Sequence, residues 1–146
     1  MGEFRKLSDT FYASPQVSPQ DISEAAAMGV ALVVNNRPDG EAADQPEGAA
    51  IEAATRAAGM DYLAIPIGSA GFSEPQVERL QDALASAQGP VLGFCRSGTR
   101  STLLWSLAQA RGGGDPDAIA EAAAAVGYDV SPVRPAMDMF AARAAE

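Results

Sequence analysis

Histidine is absent from the 146 residues, and cysteine occurs once. The missing imidazole removes every Ser-His and Cys-His dyad and takes away a usual zinc ligand. One cysteine excludes an internal disulfide and suits a reducing compartment. Positive charge is scarce: 10 Lys and Arg face 19 Asp and Glu, giving a net charge of −9. That balance argues against a nucleic-acid surface. Long apolar runs are missing too. No stretch approaches the ~20 residues of a membrane-spanning helix, and the opening residues contain no signal-peptide apolar core. The expectation is a cytoplasmic single domain over 1–146, with no membrane, nucleic-acid, metal or cofactor requirement. Residues 1–6 are expected to be a tag remnant or disordered.

What is present alternates between short apolar runs and segments of helical spacing. Phe11-Tyr12-Ala13, Val30 to Asn35, Tyr62 to Ile67 and Val91 to Phe94 read as strands. Ser18-Pro19 opens a helix that Gly29 stops. A second helix covers about Ala49 to Ala58, and Ser73-Glu74-Pro75-Gln76 opens a third as a capping box. Further helices follow from Ser101 to about Ala110, from Asp115-Pro116 to about Val126, and from Ser131-Pro132 to about Arg143. Leu103, Leu104, Trp105 and Leu107 are expected in the core, as are Met137, Met139 and Phe140. Strands alternating with helices predict an α/β fold: a mostly parallel central sheet of about four to five strands flanked by helices.

One stretch carries chemistry. The run Phe94-Cys95-Arg96-Ser97-Gly98-Thr99-Arg100-Ser101 joins the last strand to a helix. A thiol is a good nucleophile as thiolate, which helix N-termini and nearby cations favour. The N–H groups that open the helix lack helical partners and can converge on an anion. Gly98 permits the backbone such a nest needs. Arg100 offers a forked cation for a sulfuryl or phosphoryl group. Arg96 is placed to steer an anion at the mouth, and Ser97, Thr99 and Ser101 add hydroxyl donors. Cys95 and Arg100 are therefore the candidate catalytic pair. A second polar loop, Asn36-Arg37-Pro38-Asp39-Gly40-Glu41, follows an apolar strand, where ligand-facing loops gather in α/β folds. Arg37 reads as support for the Cys loop, with Glu41 as its partner.

Cys-Arg-Ser-Gly-Thr-Arg-Ser followed by Leu-Leu-Trp, with Asn-Asn-Arg-Pro-Asp-Gly-Glu after the second strand, resembles the beta-lactamase hydrolase-like (Blh-type) family, a bacterial phosphatase-like or rhodanese-like sulfurtransferase family. Leu7-Ser8-Asp9 through Pro19, Ile65-Pro66-Ile67 and Gly127-Tyr128 also fit, so the resemblance runs from about Leu7 to Val133. It implies a dual-specificity-phosphatase-like fold. It also implies two chemistries. Cysteine phosphatases carry five residues between Cys and Arg, whereas rhodaneses carry the shorter loop seen here, Arg96 to Thr99. Phosphatases place His before the Cys; here Phe94 stands there. Their general acid follows the strand before the capped helix, yet Gly68-Ser69-Ala70-Gly71-Phe72 has no carboxylate. Asp39 or Glu41, and more weakly Glu74, are the substitutes.

The leading expectation is a sulfurtransferase. Cys95 takes sulfane sulfur from thiosulfate or a persulfide and passes it to a thiol acceptor, in the company of a beta-lactamase-like persulfide dioxygenase. The alternative is a Cys-dependent tyrosine or dual-specificity-like phosphatase working through a phosphocysteine. A third reading is a non-catalytic anion-binding domain.

Overall fold

In the computed structural model, which describes residues 3–146, every predicted strand joins one sheet. The strands are β1 (Arg5–Ser8), β2 (Phe11–Ser14), β3 (Leu32–Asn35), β4 (Asp61–Ala64) and β5 (Val91–Phe94), in the order β1-β2-β5-β3-β4. β1 runs antiparallel to β2; the other three pairings are parallel. The domain is α/β, as the sequence predicts. One expectation changes at its edge. Arg5 and Lys6, read as a tag remnant or disordered lead, pair with Ala13 and Tyr12 and open β1. Met1 and Gly2 lie outside the described residues.

Two faces of helices follow from alternation within the strands. Val33, Leu92 and Phe94 point to one face, where α1 (Pro19–Ala27) and α2 (Gly48–Ala57) bring Ile22, Ala25 and Ile51. Leu32, Val34 and Val91 point to the other. There α3 (Glu74–Ser86), α4 (Thr99–Arg111), α5 (Pro116–Ala125) and α6 (Arg134–Ala144) contribute Val77, Leu80, Leu104, Ile119 and Met137. Ser18 caps α1 through the Asp21 N–H, and Asp21 answers at the Ser18 N–H, closing the capping box. The last helix differs from its expectation: Ser131–Val133 forms a 3-10 turn, and α6 starts at Arg134 with Pro135 in its first turn.

α4 is the central helix. From Ser101 to Ala108 every residue is buried, because β2, β5, α3, α5 and α6 wrap the helix. Trp105 stacks on Phe11 of β2 at 6.2 Å between centroids. Gly93 makes the close approach possible: a Cβ there would lie 2.7 Å from the Phe11 ring and 3.4 Å from Ser101 Cβ. The expected core residues Leu103, Leu104, Trp105, Leu107, Met137 and Phe140 are buried, whereas Met139 is 47% exposed and does not pack. This seating fixes the start of α4 directly above the C-terminal end of β5.

Candidate active site

Cys95 leaves the end of β5 fully buried. Its backbone N–H donates to Ser14 O of β2 at 3.3 Å, and Asn36 N–H donates to Phe94 O from the β3 side at 2.8 Å. The strand end is thus pinned from both neighbours before the chain turns. The Gly98 N–H donates to Cys95 Sγ at 3.1 Å. Gly98 has φ +91°, the left-handed region that glycine adopts without strain. Thr99 then begins α4, whose first N–H groups have no intrahelical acceptor. The Gly98 N–H and the start of α4 thus present donor groups on the side of the sulfur.

Arg100 extends from the first turn of α4 into a fixed seat. Nη1 donates to Glu41 Oε2 at 2.7 Å and to Ile67 O at 2.7 Å; Nη2 donates to Glu41 Oε1 at 2.9 Å. These bonds hold the end of the guanidinium, and the same side chain also interacts with the Cys95 thiol. Glu41 lies between two arginines, because Arg37 Nε also donates to its Oε1 at 3.1 Å. The Arg100 hydrogen bond, with help from Arg37 and against partial burial, holds the Glu41 carboxyl down at about 2. In return Glu41 first, and then the Cys95 thiolate, push Arg100 up from its ordinary value.

Arg37 is buried (6% exposed) and supports the Cys loop, as its place in the sequence suggests. Its Nη1 donates to Gln16 Oε1 at 3.0 Å, and the Gln16 backbone N–H donates to Arg96 O at 3.3 Å. Asn35 Oδ1 in turn accepts from the Arg37 N–H at 2.9 Å. Arg96 points outward, exposed, with no side-chain partner among the described residues. Arg100 thus brings a cation to the thiol, with Glu41 and the buried Arg37 fixing it from behind, in a chain of net charge −9.

Other candidate residues fall elsewhere. Ser101 is fully buried and spends its hydroxyl proton on Asn36 Oδ1 at 2.7 Å, so its side chain is a brace between α4 and the β3 loop. Ser97 and Thr99 bond to one another at 3.0 Å on the exposed rim. Asp39 Oδ1 accepts from the Gly48 N–H at 2.8 Å at the start of α2. Glu74 binds Arg111 and Arg143 across α3, α4 and α6. Glu41 is ionised at neutral pH. Each of the three carboxyl groups proposed as acid is thus committed to these partners. Sequence reasoning missed Gln16 and Ile67 O, whose contributions come from a loop amide and a backbone carbonyl.

The sequence and the fold have known counterparts. Residues 3–113 match the model of the beta-lactamase hydrolase-like protein, phosphatase-like domain. The chain belongs to that family. A beta-lactamase hydrolase-like protein of Agrobacterium fabrum is 36% identical over 104 residues, 71% of this chain and 24% of that protein. The chain thus spans about a quarter of the length of the curated relatives it matches. A solved structure from Neisseria meningitidis Z2491, described as a candidate phosphatase, superposes with TM-score 0.81 at 32% identity, covering 93% of this chain and 96% of that one. Pseudomonas aeruginosa TpbA in complex with pTyr shares the fold at TM-score 0.68 and 20% identity, covering 98% of this chain and 90% of its own. The family and the fold are phosphatase-like. None of these matches is described as a sulfurtransferase.

Proposed function

We propose that this domain is a cysteine-dependent phosphatase-type hydrolase acting on phosphoesters with readily departing leaving groups. The observation that carries the reading is the Cys95 thiol at the focus of a strand-to-helix loop, with the Gly98 N–H on its sulfur and Arg100 locked beside it. The Cys95 thiolate attacks phosphorus. The P–O bond to the leaving group breaks, that oxygen takes the electron pair, and a phosphocysteine forms. Water then attacks phosphorus and returns the thiolate, releasing phosphate. The loop N–H groups and the Arg100 guanidinium carry the charge that builds on the non-bridging oxygens. The family match, the Neisseria structure and the fold shared with a pTyr-binding protein support this chemistry.

The restriction on substrate comes from the carboxyl groups. Glu41 is ionised between its two arginines, and Asp39 and Glu74 are engaged elsewhere. With no acid to protonate the departing oxygen, aryl phosphates of the phosphotyrosine type are favoured over alkyl phosphates.

Sulfur transfer stands as a second reading on one observation: four residues, Arg96 to Thr99, separate Cys95 from Arg100. A shorter ring of donors suits a single persulfide sulfur, and sulfite needs no acid to leave. A thiol acceptor and a beta-lactamase-like persulfide dioxygenase are the partners this reading requires.

The test is a series of aryl phosphates of falling leaving-group basicity, run beside thiosulfate and glutathione persulfide with a thiol acceptor. The phosphatase reading expects Cys95-dependent hydrolysis that rises steeply along the series. Sulfur transfer with no phosphate release overturns it.

A further inference from the structure

We infer that Tyr128 is a positioning residue for the nucleophile: its hydroxyl fixes the peptide between Ser97 and Gly98 so that the Gly98 N–H stays aimed at Cys95 Sγ. The Ser97 carbonyl and the Gly98 N–H belong to the same planar trans unit, so they point in opposite directions. Tyr128 Oη donates to Ser97 O at 3.2 Å on one side. The Gly98 N–H donates to Cys95 Sγ at 3.1 Å on the other. One peptide plane therefore links the phenol to the thiol.

That plane needs a restraint. Flipping it rotates ψ of residue 97 and φ of residue 98, and glycine tolerates either sign of φ. The glycine that permits the geometry also permits its loss. A flip would withdraw a donor from the sulfur and turn a carbonyl oxygen toward it, reversing the local dipole. Tyr128 closes off this route by holding the carbonyl outward. It also fills the space beside Gly98, where a Cβ would run into the phenol hydroxyl.

Tyr128 is itself well seated. It is 7% exposed, its backbone N–H donates to Ala123 O at the end of α5, and Arg5 of β1 lies 4.9 Å from its ring centroid. Arg5 is tied in turn to Val126 O at 3.0 Å. Burial, and secondarily the Cys95 charge, push the phenol up from its ordinary value, so it remains a proton donor at neutral pH. Tyr128 lies beyond the residues 3–113 that define the family match.

The role concerns the thiol and holds for either group the site transfers. Its test needs no substrate. Cys95 is the sole cysteine, so iodoacetamide alkylation followed against pH reports it alone. Charged or titratable side chains around it are Arg96 in its own loop, Arg100 of α4, Arg37 and Glu41 from the loop after β3, and Arg5 behind Tyr128; Tyr128→Phe leaves all of them in place. The variant is expected to raise the inflection of the rate profile by about one pH unit, roughly tenfold slower alkylation below it. Thr55→Val removes another fully buried hydroxyl, one that bonds Ile51 O within α2, and leaves the inflection where it is. A Tyr128→Phe inflection that coincides with the wild type overturns the proposal, as does an equal shift in Thr55→Val. If Tyr128→Phe does not fold, Arg5→Met loosens the ring from outside the loop. An upward shift then supports the role, and a coincident inflection overturns it.

Discussion

Glu41 and Glu74 each sit between two arginines, yet the two clusters do different work. Glu74 joins Arg111 at 3.1 Å and Arg143 at 3.0 Å, bridging α3, α4 and α6. Those helices already pack through Val77, Leu80, Met137 and Phe140. The ions lie on the outside, with the Glu74 side chain 40% and the Arg143 side chain 51% exposed. Exposed pairs on elements that are already packed add little. Glu41 sits on a loop held by polar contacts: Gln45 bonds Pro38 O and the Glu41 N–H, and Asp39 bonds Gly48. Its partner Arg37 has a side chain only 5% exposed. The same chemistry is peripheral on a packed helix surface and decisive where it fixes a loop against a reactive loop.

The comparison breaks most sharply at the arginines. Arg100→Lys is expected to lower kcat/KM by about 100-fold or more, because an ammonium cannot satisfy Glu41, Ile67 O and an anion with one fork geometry. Arg111→Lys on the other cluster is expected to leave kcat/KM unchanged in the same assay. Glu41→Gln comes next. It leaves the buried Arg37 short of its countercharge and lets Arg100 swing, costing about 1–3 kcal/mol in denaturant unfolding and about tenfold in kcat/KM.

Acid sharpens the difference further. Glu41 is held at about 2 in the fold against an ordinary value of 4.5. Its contribution to stability is therefore complete above about pH 4.5 and is lost as pH falls toward about 2. Glu41→Gln should flatten the unfolding free energy across that window, measured by urea melts at successive pH values. A Glu41→Gln curve parallel to the wild type would contradict the assignment. The smallest effect belongs to Glu74→Gln: a melting temperature indistinguishable from the wild type, and unchanged activity.

Much of this was readable from residues. The Cys loop announced strand, turn and helix because Val91 to Phe94 is uniformly apolar, Gly98 breaks the run, and α4 starts at once. Ser18, Asp115 and their following prolines marked helix starts through local capping, which depends on near neighbours alone. β1 was invisible for the opposite reason. Arg5-Lys6-Leu7-Ser8 has one buried side chain, Leu7, and its strand conformation comes from pairing with β2. The site divided along the same line. Cys95 and Arg100 could be named from spacing. Ser101 could not be told from a ligand-facing hydroxyl until its partner Asn36, far away in sequence, was seen at 2.7 Å. Ile67 and Tyr128 fall in stretches that fit the family pattern and Gln16 does not, but the roles of all three lie in contacts made by tertiary packing, which the sequence does not show.

The most direct measurement is intact mass after rapid acid quench, with the protein exposed to an aryl phosphate and, separately, to glutathione persulfide, beside Cys95→Ser. The account predicts a phosphoryl group on Cys95 during turnover of the ester, absent from Cys95→Ser together with all turnover. Hydrolysis that survives in Cys95→Ser would contradict the thiolate nucleophile itself. A sulfur adduct with no phosphoryl adduct would keep the nucleophile and contradict the phosphatase assignment.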